Sequence, residues 1–215
     1  KIFLGSNLSP SQFDLQSDYH LRFELGKGFK NGTVERVDQS TGRAKAIFEE
    51  LFKSSDDLYI VVNHCVTDDL VPFFPVAQGY FEQQIKGYAT LDISHQEEVI
   101  IEEECNVLCE NGSIERIIPI TRHHQYIFES KLADIKYENI LRAIANLEMG
   151  FEPAIGQRIY FINPRNDAAF FMYDDRGCLI FSPHQEVLLP LYQRYNHWLV
   201  DYYRPTFDQM FGEAQ

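Results

Sequence analysis

The side chains of this 215-residue chain that could do acid–base or nucleophilic chemistry are few and scattered. His64 is followed closely by Asp68 and Asp69, His123 and His124 are adjacent, and so are Asp174 and Asp175. A hydrolase or nuclease built from these residues would need a histidine and a carboxylate within hydrogen-bond reach of one another. Nothing in their spacing brings them together. Adjacent histidines on a strand point to opposite faces, so His123 and His124 do not easily ligate one metal. The spacing Cys105-x-x-x-Cys109 is not the CxxC of zinc and redox sites, and His95 lies apart in sequence from the other histidines. Gly26-x-Gly28 lacks both the third glycine of a dinucleotide fingerprint and the GK[ST] ending of a phosphate loop, so it reads as a turn. These patterns predict no metal, no cofactor and no catalytic motif.

Charge is the stronger signal. Nineteen Lys and Arg stand against 32 Asp and Glu, a net charge of −13. That argues against binding a nucleic-acid backbone and favours solubility or a basic protein partner. The acidic residues concentrate where Glu97-Glu98 and Glu102-Glu103-Glu104 flank Val99-Ile100-Ile101. This pattern fits first an edge strand protected by charge against edge-to-edge pairing, and as the alternative a patch for a basic partner. Asp174-Asp175 with Arg176 reads either as a turn with an internal Asp–Arg contact or as a second acidic partner surface. The four cysteines, Cys65, Cys105, Cys109 and Cys178, follow no disulfide framework and read as reduced thiols of a cytosolic protein. No run approaches the ~18 apolar residues of a membrane span. The start, Lys1-Ile2-Phe3-Leu4-Gly5, has no room for a signal-peptide h-region, and its lack of Met suggests a trimmed start.

The elements that must position these residues centre on Ala168 to Tyr203. Ala169–Tyr173 and Cys178–Phe181 read as strands of a hairpin whose turn places Gly177 at positive φ, in a three-residue loop with a bulge. Ser182 and Pro183 are the cap and first residue expected for the next helix. Its stripe of Leu188, Leu191, Tyr195, Trp198 and Leu199 faces a core, with a kink or break at Pro190. Upstream, Ser9 to Gln12 opens a short helix, and His20–Leu25 alternates with period two as a half-buried strand. Lys30 to Thr41 reads as a flexible polar segment, the most basic of the chain. Thr41–Phe52 is an amphipathic helix, Leu58–Val62 a strand, and Asp68–Pro75 a short turn or loop packed by Phe73 and Phe74. Asn111-Gly112 marks a hairpin, and Ile114–Ile120 its return strand. Asp134–Met149 is a second helix, closed by Gly150, and Arg158–Phe161 is a further strand.

Several of these blocks resemble a family of bacterial proteins catalogued only as a domain of unknown function. They are Tyr173-Asp174-Asp175-Arg176-Gly177, Leu191-Tyr192, Trp198-Leu199 ahead of Asp201-Tyr202, His20 to Gly26, and Ala46 to Phe52. The resemblance covers about Tyr19 to Phe211. It implies bacterial origin and a single domain, and carries no activity or catalytic residue. The order of elements predicts an α+β domain over 1–215 with a mixed or mainly antiparallel sheet, covered on one face by helices. A weak subdivision near 110–112 is the alternative domain division. The function expected is a non-catalytic, cytosolic interaction protein of the immunity or inhibitor type. Its partner-binding residues would be Glu97, Glu98, Glu102, Glu103, Glu104, Asp174 and Asp175, and the hydrolase or nuclease above is the alternative.

Overall fold

A computed structural model describes residues 10, 15, 17–67, 79–108 and 112–212. The elements run β1 (Tyr19–Glu24), α1 (Val34–Leu51), β2 (Asp57–Thr67), α2 (Tyr80–Gln83), β3 (Ser94–Ile101), β4 (Cys105–Leu108), β5 (Ile114–Ile117) and β6 (Ile120–Lys131). Then come α3 (Tyr137–Met149), β7 (Arg158–Asn163), β8 (Ala168–Asp174), β9 (Gly177–Ser182), α4 (Gln185–Arg194) and α5 (Arg204–Phe211). Seven strands form one sheet in the order β1-β9-β8-β7-β2-β6-β3, and every pairing in it is antiparallel. β4 and β5 form a separate hairpin that pairs Leu108 with Ile114, around the turn expected at Asn111-Gly112. Gly112 there has φ +83°, a left-handed value that glycine adopts without steric cost.

The sheet's two faces follow from strand alternation. Leu58, Ile60 and Val62 of β2 join Phe161, Phe170 and the buried faces of α1, α3 and α4 in the main core. Phe48 of α1 sits edge-on to Phe161 and Phe170, with ring centres 5.1 and 5.2 Å away, within the 4.5–7 Å range for favourable aromatic pairs. Val61, Tyr160, Ile162, Phe171 and Phe181 point the other way and form a second apolar layer with Leu15. The α+β class, the antiparallel sheet and the helix-covered face are therefore as expected.

Boundaries differ in instructive ways. α1 begins at Val34, inside the segment expected to be flexible, because its polar first turns are used internally. Arg36 forms an ion pair with Asp175, and Ser40 Oγ donates to the Asp175 carbonyl at 2.7 Å, so polar residues occupy core-facing positions. α4 starts at Gln185 instead of Pro183. Ser182 belongs to β9, and its hydroxyl still accepts the His184 N–H at 3.1 Å. The helix continues through Pro190 and ends at Arg194. Trp198 therefore lies on a following 3-10 turn, half-buried and stacked on Tyr195 at 4.7 Å. The β8–β9 loop has two residues, Asp175 and Arg176, with the irregularity at Tyr173, and Gly177 is not among the positive-φ glycines. Gly177 is needed for space: a Cβ there would lie 2.6 Å from the Phe23 carbonyl oxygen and closer still to the Tyr173 hydroxyl. The short helix expected at Ser9–Gln12 and the loop at Asp68–Pro75 fall mainly or wholly outside the described residues. No helix among the described residues is long and apolar enough to cross a membrane.

Candidate functional site

The chemistry-bearing residues separate into three places. The first is the β8–β9 turn. Asp174 and Asp175 are buried, Asp175 at 0% exposure, so they present no acidic surface to a partner. This corrects their assignment as partner-binding residues. Asp174 accepts the Arg176 backbone N–H at 2.7 Å and the Arg176 Nε at 2.8 Å; Asp175 is held by Arg36 from α1. The turn is an internal lock between the β8–β9 hairpin and the first turns of α1. Burying a carboxylate requires such partners, since an unpaired buried charge is very costly. Arg36 was invisible as a partner in the sequence, because 139 residues separate it from Asp175.

The second place is a cleft of about 190 Å³ at the end of β2. Asn63, His64, Cys65, His123, His124 and Arg158 line it, together with Pro10 and Gly156. The antiparallel register sets His64 opposite His124, and Cys65 opposite His123. Three of the seven acid–base candidates therefore meet at one cleft, which their sequence separation does not reveal. Alternation puts His64 and His124 on the helix-covered face and His123 and Cys65 on the other. Burial, and then the neighbouring His124, push His64 below the ordinary histidine range, against a smaller opposing pull from Glu82. Burial, and then Glu102, push the Cys65 thiol up, so it is not primed as a thiolate. No carboxylate lines the cleft among the described residues. Asp68 and Asp69 lie outside the described residues, and Asp174 and Asp175 are committed to their own lock. His95 joins this region from β3: its Nε2 lies 3.3 Å from His124 Nδ1, and its ring stacks on Tyr126 at 4.5 Å. Among the described residues no three His, Cys, Asp or Glu side chains are arranged to hold a metal ion.

The third place is the sheet edge. β3 is the last strand of the seven, paired with β6 on one side only among the described residues. Glu97 is exposed and lies 3.4 Å from Arg122 of the adjoining strand, while Glu98 is half-buried opposite His123. Glu102, Glu103 and Glu104 continue past the strand, all exposed. Val99 is 49% exposed, Ile101 72%, and Ile118, just before β6, 57%. Charged residues on an edge strand deter pairing between sheets, but exposed valine and isoleucine add nothing to that defence.

The comparisons agree with the resemblance seen in the sequence. The family model described as "Domain of unknown function (DUF3885)" matches residues 3–203. Over 173 residues the chain is 25% identical to a protein of Bacillus subtilis (strain 168) called "Uncharacterized protein YnaE", covering 73% of this chain and 71% of that protein. No solved structure matches at a significant level.

Proposed function

We propose that this chain, a member of the family described as a domain of unknown function (DUF3885), is a non-catalytic cytosolic protein that binds a basic protein partner. The observation that carries the reading is the β3 edge. An edge strand, paired with β6 and meeting no strand on its other side among the described residues, exposes Glu97 and leads directly into exposed Glu102, Glu103 and Glu104, beside exposed Val99 and Ile101. A chain of net charge −13 attracts a cationic partner at long range, and the local carboxylates orient it. The biological form that fits is an immunity or inhibitor protein that blocks a basic toxin or nuclease.

Expressing the adjacent gene alone and together with this chain tests the reading. Growth arrest by the neighbour, relieved by this chain and not by a folded Glu102→Lys/Glu103→Lys/Glu104→Lys variant, supports it. Full protection by that variant counts against an acidic binding face.

A hydrolase or nuclease is the second reading, favoured by the meeting of His64, His123 and His124 at one cleft. The cleft is smaller than the ~300 Å³ at which ligand pockets usually begin, and no carboxylate lines it among the described residues. Turnover of ester or phosphodiester substrates that disappears in both His64→Ala and His123→Ala would move the assignment to this reading.

A further inference from the structure

We infer that β3 takes an extended basic segment of a partner protein as an additional strand of the sheet, an inference that rests on the partner-binding reading above. Main-chain groups supply the first argument. An edge strand exposes a row of N–H and C=O groups that another extended chain can pair with, and strand addition is an established mode of peptide capture. β3 has eight residues, long enough for a full pairing segment, and its far side meets no strand among the described residues. Natural edges are blunted by bulges, prolines, charged side chains or short length, and the charges of β3 are the carboxylates Glu97 and Glu98, which repel an acidic strand and attract a basic one. β3 pairs with β6 in unbroken register from Ser94–Ile127 to Ile101–Ile120, and contains no Pro or Lys.

The side chains specify the occupant. Period-two alternation sets His95, Glu97, Val99 and Ile101 on one face. Moving along this face, an incoming strand meets a carboxylate and then two exposed apolar side chains, followed by the Glu102–Glu104 carboxylates beyond the strand end. The complementary segment carries Lys or Arg opposite Glu97, Val- or Ile-like residues opposite Val99 and Ile101, and further basic residues past them. Opposite charges facing each other across a strand pair are favourable and like charges unfavourable. This disfavours a second copy of the chain. Antiparallel pairing of two β3 strands about their centre sets Glu97 against Glu98, between two chains that each carry −13.

The test uses the whole chain and two soluble peptides of alternating Lys and Val. One is unmodified; the other is N-methylated at alternate amides along one edge, keeping its charge and side chains but losing those backbone donors. Calorimetry and amide hydrogen exchange are the readouts. The expected result is binding of the unmodified peptide with slowed exchange at the β3 amides that face away from β6. Binding should be at least about tenfold weaker for the N-methylated peptide and for the Glu97→Lys chain, with Glu97→Gln as the milder variant should Lys perturb folding. Equal binding of both peptides with no protection of β3 overturns strand addition while leaving an acidic binding face in place. No binding of either peptide at low salt counts against both. A concentration-dependent dimer that protects the same β3 amides overturns the choice of occupant.

Discussion

Replacing Gly177 by Ala inserts one methyl group into a site with no room for it. Gly177 opens β9 and pairs with Glu24 of β1 and Asp174 of β8, so strands flank it on both sides. A Cβ built there lies 2.6 Å from the Phe23 carbonyl oxygen and within closer range of the Tyr173 hydroxyl. Separations below 3.0 Å are essentially never seen for a real Cβ, so something must move. The tyrosine can swing away. Doing so breaks its hydrogen bond from Arg22 Nε at 3.2 Å and the placement of that guanidinium 5.2 Å from its ring centre. The Phe23 carbonyl cannot move without distorting the β1–β9 ladder. Overpacking costs about 1–3 kcal/mol, and the lost hydrogen bond adds about 1 kcal/mol. A total of roughly 2–4 kcal/mol is expected, a large share of a typical domain's stability.

Urea denaturation of wild type and Gly177→Ala, followed by far-ultraviolet circular dichroism, measures this difference. Adding Tyr173→Phe removes the hydroxyl clash but leaves the Phe23 carbonyl, and the ring carbon 2.7 Å away, so the double variant should recover only part of the loss. A loss below about 0.5 kcal/mol, the scale of an unremarkable surface change, would refute the contact argument. Complete recovery by Tyr173→Phe would show that the β1 backbone does not constrain the site.

Three further outcomes follow from other contacts. Arg36→Ala leaves the Asp175 carboxylate buried without its cation and should cost about 3–5 kcal/mol by chemical denaturation; Asp175→Asn removes the fully buried anion and leaves a cation that still reaches solvent and the Phe29 carbonyl, so it should cost less. Burial lowers the pKa of His20, and burial followed by His124 lowers that of His64, from an ordinary 6.5. Below that value the unfolded chain binds more protons than the folded one, so stability should be complete above about pH 6.5 and fall as the pH drops through it. Denaturation midpoints between pH 5 and 8 should show a slope that His20→Gln/His64→Gln flattens. Trp198 is half-buried, stacked on Tyr195 with the Arg43 guanidinium 5.1 Å from its ring centre. Its truncation to Ala should cost about 1–3 kcal/mol, less than the ~3–5 kcal/mol of a fully buried aromatic.

The parts of the fold that can be read in the sequence are those where one face is fully buried. The alternation of Leu21 and Phe23, the stripe of Ile47, Phe48 and Leu51, and the glycine after Met149 correspond to β1, α1 and the left-handed C-terminus of α3. The full lengths of β2 and β6 are not legible. Their far ends, Asn63-His64-Cys65 and Arg122-His123-His124, are paired in the ladder yet partly exposed on both faces. Without one apolar face the period-two pattern disappears, although backbone pairing holds these residues extended. The histidine cleft was hidden for the same reason. Register brings His64 opposite His124, and register over 60 residues of chain is set by the buried halves of the strands, not by the histidines.

Acidic residues pose a different problem, and it bears on where a partner can dock. Asp174-Asp175 and Glu97-Glu98 are both carboxylate pairs beside apolar strand residues, and although Arg176-Gly177 marks the first as a turn, nothing local shows that its carboxylates are buried. What separates them is the position of their strands in the sheet. β8 and β9 are interior strands, and α1 brings Arg36 against their turn; its carboxylates are therefore used in folding. β3 is an edge, and Glu97 shares its surroundings with water and the partly exposed Arg122. Of the two, only the edge carboxylates remain accessible to a cation from another molecule. The two Asp–Arg pairs leave the net charge of −13 unchanged, since each takes up one charge of either sign, but they withdraw two carboxylates from the surface a partner can reach. Attraction of a basic partner should depend on Glu97 and Glu102–Glu104, and weaken with added salt as exposed charges are screened.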